Sequence, residues 1–358
     1  MKRLNISFLV ALVASVLLAT SVHAEPQSLR IAAIIPLSGE AASWGNAFKN
    51  GVTMGLEDLP VRVREQISLD YEDDGLTAKG AVAAFHKLNG EKRVDAVLNL
   101  SSVTAQALVP ITEAKGITLL AIASDGAVSR GRLHAFNFWV TPDEESRVLI
   151  PEMKKRGYLR IARISTLNNG VIAINEAFDR ENQGQISIVI DKNLAADNKD
   201  FRDILTLIRS KEREIDAVLI ALMPGHLSTF ARQLRQSGSK LPLVGFETLE
   251  DVNENKLARG ALTDALYVNA DEGQASFLED YKKRFPGASS YIAANGYDAI
   301  RILGKAVENG VRPENLSTYI NQLKDYKGAL GTFSASGDQR FSLPAVLKVV
   351  TKDGFSRF

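Results

Sequence analysis

The chain has 358 residues, a formal net charge of +1, 45% hydrophobic residues and no cysteine. A balance this close to neutral argues against a nucleic-acid surface or a polybasic membrane-binding protein, both of which concentrate Lys and Arg. The missing cysteines exclude disulfides, thiol nucleophiles, thiolate metal sites and a lipid anchor on an N-terminal Cys. The length exceeds what one core comfortably organises, so two domains are expected.

At the start, Lys2 and Arg3 precede an apolar run, residues 8–20, that is too short to span a bilayer. Val22-His23-Ala24 then places small residues about a cleavage point. This reads as a secretory signal removed after Ala24, so residues 1–24 are expected to be lost on export to a periplasm. Discounting Lys2 and Arg3 leaves a net charge of −1.

Residues 29–35, 94–98, 117–122, 186–190, 215–222 and 241–246 are continuous or nearly continuous apolar stretches, the form taken by strands buried on both faces of a parallel sheet. Helical spacing lies between them. Phe48, Val52 and Leu56 mark one helix, and Ala81, Ala84, Phe85 and Leu88 another. Phe201, Ile204, Leu205 and Ile208 mark a third, and Tyr297, Ile300, Leu303 and Val307 a fourth. Such alternation predicts α/β layers. Val94-Asp95-Ala96-Val97-Leu98 is nearly repeated as Ile215-Asp216-Ala217-Val218-Leu219, which suggests two lobes built from one βα unit. No Pro/Gly/Ser-rich linker separates the halves, so a hinge of several chain crossings is expected rather than a tether.

Catalytic signatures are missing. His86, His134 and His226 have no ligand-like spacing. There is no Gly-x-Ser-x-Gly elbow, no phosphate-cradling Gly-x-x-x-x-Gly-Lys loop and no Gly-x-Gly-x-x-Gly after the first strand, where the chain instead reads Pro36-Leu37-Ser38-Gly39-Glu40. The expectation is a binding protein rather than an enzyme, with no cofactor and no metal.

Ile34-Ile35-Pro36-Leu37-Ser38-Gly39, continued by Ala42-Ser43-Trp44-Gly45-Asn46-Ala47 and Asn50-Gly51, resembles the opening of the leucine/isoleucine/valine-binding protein family. These are type I periplasmic binding proteins of ABC transporters. The likeness continues through Tyr71-Glu72-Asp73-Asp74, Leu100-Ser101-Ser102, Glu113-Ala114-Lys115-Gly116-Ile117, Val244-Gly245-Phe246-Glu247 and Ala293-Ala294-Asn295-Gly296-Tyr297-Asp298-Ala299. It closes on Gly331-Thr332-Phe333, Phe341 and Lys352-Asp353-Gly354. The resemblance implies two doubly wound, Rossmann-like α/β lobes joined by three crossovers, near Thr141-Pro142, near Asn269-Ala270 and at 328–331. The lobes would then be residues 25–141 plus 270–328, and 142–269 plus 329–358. It further implies a monomer that closes on a small solute, an amino acid or similar, and delivers it to a membrane permease. The alternative is a sensor of the same fold that reads an amide, urea-like or aromatic compound.

The resemblance also implies a site. Ser102 falls where the family holds the ligand's carboxylate; read locally, it is also a helix N-cap. Trp44 falls where a tyrosine lines the cleft, and equally suits packing into its own lobe. Glu247 matches the acid that pairs with the ligand's ammonium, or is a solvated loop acid beside Glu250 and Asp251. In the loop Ala123-Ser124-Asp125-Gly126, Ser124 is expected at the site and Asp125 replaces a threonine that contacts the ammonium. Asn169, before Gly170, and Met223 each replace a tyrosine, so the side-chain pocket differs from the branched-chain one.

Overall fold

The computed structural model describes residues 28–358 except 196, 198 and 353, so the expected signal segment lies outside the described residues. The first apolar run forms β1 (Leu29–Ile35), every residue of which is buried. Its one charge, Arg30, keeps its guanidinium hydrogen-bonded to Asp70 at 3.0 and 3.1 Å and to the Leu88 carbonyl at 3.0 Å. β1 is joined by β2 (Ile67–Asp73), β3 (Ala96–Leu100), β4 (Thr118–Ile122) and β5 (Ala135–Asn137) in a parallel sheet of order β2-β1-β3-β4-β5. The helices α1 (Ala42–Glu57), α2 (Val61–Arg64), α3 (Ala78–Glu91) and α4 (Ser102–Lys115) follow these strands.

After β5 the chain enters α5 (Pro142–Lys155), capped by Thr141 and with Asp143, Glu144 and Glu145 in its first turn. The second lobe runs β6 (Arg160–Thr166), α6 (Asn169–Asn182), β7 (Ser187–Leu194), α7 (Arg202–Ser210), β8 (Ala217–Ala221), α8 (Leu227–Gln236), β9 (Leu243–Gly245), α9 (Val252–Ala258) and β10 (Leu266–Ala270). The chain then returns to the first lobe with α10 (Ala275–Arg284), α11 (Ala293–Glu308) and α12 (Leu316–Asn321), followed by the hairpin β11 (Tyr326–Gly328) and β12 (Gly331–Phe333). β13 (Ala345–Thr351) and β14 (Gly354–Arg357) complete a second sheet of order β14-β13-β10-β9-β8-β6-β7, antiparallel only at β13 and β14.

The two near-copies of sequence occupy equivalent places. Ala96 pairs with Ile31 of β1, and Ala217 pairs with Ile161 of β6. Asp95 accepts the Arg30 amide at 2.9 Å, and Asp216 accepts the Arg160 amide at 2.8 Å.

The third crossover departs from the expectation of 328–331. That stretch is the tight turn of the β11–β12 hairpin, pinned to the first lobe by the Asp298 carboxylate, which accepts the Ala329 and Leu330 amides at 2.7 and 2.8 Å. Phe333 and Phe341 then pack with Phe138 in the first lobe's core, and the chain enters the second sheet only at Ala345. Within the first lobe, α1 and α11 touch backbone to backbone. A Cβ on Gly51 would lie 1.9 Å from the Ala293 carbonyl oxygen, and one on Gly296 would lie 2.4 Å from that of Phe48.

Candidate functional site

In each doubly wound sheet the strand order reverses beside the first strand, and loops at the strands' carboxyl ends open a crevice there. The two crevices face each other across one cavity of about 510 Å³, whose wall takes segments from the ends of β1, β3, β4, β6, β8 and β9. Trp44, Ser102, Ser124, Asn169, Met223 and Glu247 all reach it. Its described lining holds no Lys, Arg or His.

Part of the cavity wall is built from helix N-termini. Ser101 caps α4 from a left-handed backbone, φ 90°, a conformation costly for a residue with a Cβ, and its hydroxyl accepts the Val103 amide at 3.3 Å. Ser102 is buried, and its Oγ accepts the Asp125 amide at 3.1 Å, which leaves its proton for a further acceptor. From the other lobe Asn168 caps α6 by accepting the Val171 amide at 2.9 Å. A Cβ on Gly170 would lie 3.0 Å from Ser102 Oγ, so the two N-termini meet. Their first-turn amides and the positive ends of both dipoles favour an anion.

Beside them the wall carries a carboxylate, since Ser124 bonds Glu247 and the adjoining Asp125 amide bonds Ser102. Glu247, just after β9, accepts the Ser124 hydroxyl at 2.6 Å and the Trp139 indole N–H at 2.5 Å. Exclusion of bulk water pushes its carboxyl above the usual glutamate range, while those two donors pull it back. Behind it Glu145 is fully buried, and neither of its carboxyl oxygens has a hydrogen-bond partner among the described residues. Burial, reinforced by the Glu247 charge, pushes Glu145 well above its ordinary value. Tyr291 closes this part of the wall with its ring edge-on to Trp44 at 5.8 Å and to Trp139 at 6.1 Å.

Trp44 is part of both the first lobe's core and the cavity wall. Met223 is set in place by its amide, which donates to Thr166 Oγ1 at 3.1 Å. Asp125 departs from expectation and is not part of the wall. Its carboxylate caps the short turn at Gly126 by accepting the Ala127 amide at 2.8 Å, and also accepts the Gln106 side chain. Gln106 in turn accepts from Asn169, so these three residues form a polar bridge between the lobes. Trp139, Tyr291 and Asp251 escaped the sequence reading. Asp251 takes the Trp44 indole N–H at 2.7 Å and the Ser43 hydroxyl at 3.1 Å, both on Oδ2. A visible cue did exist for Trp139, one of only two tryptophans, inside the apolar run Phe136-Asn137-Phe138-Trp139-Val140.

Comparison with known proteins agrees with this fold. A Leu/Ile/Val-binding protein of Rhizobium johnstonii is 25% identical over 361 residues, covering 93% of this chain and 94% of its own. A leucine-binding protein of Thermotoga maritima superposes with a TM-score of 0.85 at 18% identity, covering 92% of this chain and 97% of that one. An ABC-transporter solute-binding protein of R. palustris, solved with benzoate, superposes with a TM-score of 0.82 at 19% identity, covering 92% and 95%. The periplasmic binding protein profile matches residues 28–354, and the chain belongs to that family.

Proposed function

We propose that this protein is an exported receptor that closes its two lobes on a small zwitterion, an amino acid or a close relative, and presents it to an ABC-transporter permease. The observation that carries the reading is a pair of neighbouring, unlike poles. Two helix N-termini offer positive partial charge, while Glu247, linked to them through the adjoining Ser124 and Asp125, faces the cavity with no cation among the described lining residues. The carboxylate of an amino acid suits the first pole and its ammonium the second. Ser102, Ser124, Glu247 and Trp44 would contact the ligand's polar groups and α-carbon, with Asn169 and Met223 toward its side chain. Ligand exchange by hinge motion needs no covalent step, and a monomer released from a cleaved signal at Ala24 would suffice.

A second reading, an aromatic carboxylate, is favoured by one observation: Trp44, Trp139 and Tyr291 together wall the acid pole. A thermal-shift screen of amino acids and benzoates separates the two. Ligand at 100 times its dissociation constant adds about 2.7 kcal/mol of stability, a clear rise in melting temperature. Glu247→Gln should weaken a zwitterion by about 2 kcal/mol or more, since it strands a buried ammonium. It should leave a benzoate unharmed or bound more tightly. If benzoates alone shift the wild-type protein, the zwitterion assignment is wrong.

A further inference from the structure

The chain has two tryptophans, and both send their indole N–H across the cleft to a carboxylate of the second lobe. Trp44 donates to Asp251 and Trp139 to Glu247, and both rings meet the edge of the same Tyr291. Glu247 faces the cavity, but Asp251 does not line it. Asp251 is 1% exposed, and its two oxygens have separate duties. Oδ1 caps α9 by accepting the Glu254 amide at 2.8 Å, and Oδ2 takes Trp44 and Ser43. Glu254 passes the connection on, accepting the amides of Gly225 at 2.9 Å and Ser228 at 2.7 Å at the start of α8.

Resting on the receptor reading above, we propose that Asp251 is a positioning residue, the second-lobe half of a tryptophan clasp that holds the cleft shut and fixes the Trp44 indole against the cavity. These bonds exist only when the lobes are together, because donor and acceptor belong to different lobes. Both bonds join the chain's own side chains, so the clasp favours closure whichever solute is held. Opening must break a charge-assisted hydrogen bond from each indole, and water then replaces the partner. The clasp therefore sets the ratio of closed to open molecules before capture, and the lifetime of the closed form after it.

The Asp251 oxygens make the test clean. Asparagine keeps one oxygen for the α9 cap but turns an amide N–H toward the Trp44 indole, so Asp251→Asn breaks the clasp while sparing the helix. Trp44→Phe removes the donor and keeps an aromatic face. The chain lacks cysteine, so Lys79→Cys on the first lobe and Lys256→Cys on the second are the only labelling sites for a single-molecule FRET pair. In the ligand-free protein, each of the two clasp variants should lower the closed-to-open ratio about tenfold, and the double variant no further. Unchanged ratios, or effects that simply add, would overturn the clasp. A single FRET state indifferent to all variants and to millimolar leucine, phenylalanine and benzoate would overturn the receptor reading as well. Two states whose ratio ignores Trp44→Phe and Asp251→Asn would overturn the clasp alone.

Discussion

Two groups of buried and half-buried acids lie beside the chain crossings, and they are neutralised in different ways. Glu250 and Glu272 share Lys348, whose Nζ stands 2.7 and 2.8 Å from the Glu250 oxygens and 3.1 Å from Glu272. Asn269 donates to Glu250 at 2.7 Å and Ser290 to Glu272 at 3.1 Å. Among the described residues Glu247, Glu145 and Asp251 have no such cation; their partners, where present, are a serine hydroxyl, an indole or a backbone amide. The first group is complete in itself and ties β13 to the loop after β10. The second leaves a charge unanswered at the cavity wall. On the zwitterion reading proposed above, that is where a ligand's ammonium would sit.

The largest expected effect breaks the complete group. Lys348 is 1% exposed, and Lys348→Met would leave the buried Glu250 and the half-buried Glu272 facing each other without a counter-charge. Loss of one partner from a buried ion pair costs about 3–5 kcal/mol, because the stranded charge cannot return to water. Urea denaturation of the two proteins at neutral pH measures this directly. A loss under about 1 kcal/mol would mean that the triad does not hold the crossings together.

A smaller effect of opposite sign is expected from the incomplete group. The Glu145 carboxyl is raised above 4.5 in the folded protein by burial and by Glu247, so the folded chain holds a proton there that the unfolded chain has released. Stability from this group is therefore full below the ordinary glutamate value and falls as pH climbs through the raised one. Glu145→Leu removes both the buried carboxyl and its slope. At pH 8 it should stabilise by on the order of 1–2 kcal/mol, and near pH 4 by much less. Melting temperatures of both proteins across that range check the sign: the gain must widen as pH rises.

The same contrast explains what could be read in the sequence. Strands buried on both faces, such as β4 and β8, announce themselves as apolar runs because nothing in them must reach water. β6 does not, since Arg160 and Arg163 interrupt it; Arg163 is buried only because Asp179 and Asp191 meet it at 2.7 and 2.6 Å from elsewhere in the chain. β2 is an edge strand with both faces partly exposed, and it carries Asp70, Glu72 and Asp73. The family landmarks Gly51, Gly296 and Asp298 find their reasons in packing: two helices in backbone contact and a hairpin pinned from beneath. That pinning is why the third crossover comes later than the sequence suggested. In the site, Ser102 and Glu247 follow strand ends and were visible as motif positions. Asp251 and Trp139 were not, because their partners lie 207 and 108 residues away and only folding brings them together. A lysine inside Val346-Leu347-Lys348-Val349-Val350 is the kind of local misfit that points to a buried pair without naming it.

The smallest expected effect, and the sharpest for the contrast, concerns ligand affinity. Seclusion raises the Glu247 carboxyl, whereas an ammonium beside it would lower that value again. Binding a zwitterion must then expel whatever fraction of a proton Glu247 carries. Affinity should fall as pH drops through the Glu247 titration, by at most about tenfold per pH unit, and calorimetry in buffers of different ionisation enthalpy should register proton release. Glu145→Gln removes a neighbouring charge site, so it should move the midpoint of that pH profile downward or leave it in place, never upward. An aromatic carboxylate reverses the whole pattern, because it is bound best when Glu247 is protonated and takes up a proton instead. The direction of proton flow on binding therefore decides whether the unanswered charge at the cavity wall is met by a cation or silenced by a proton.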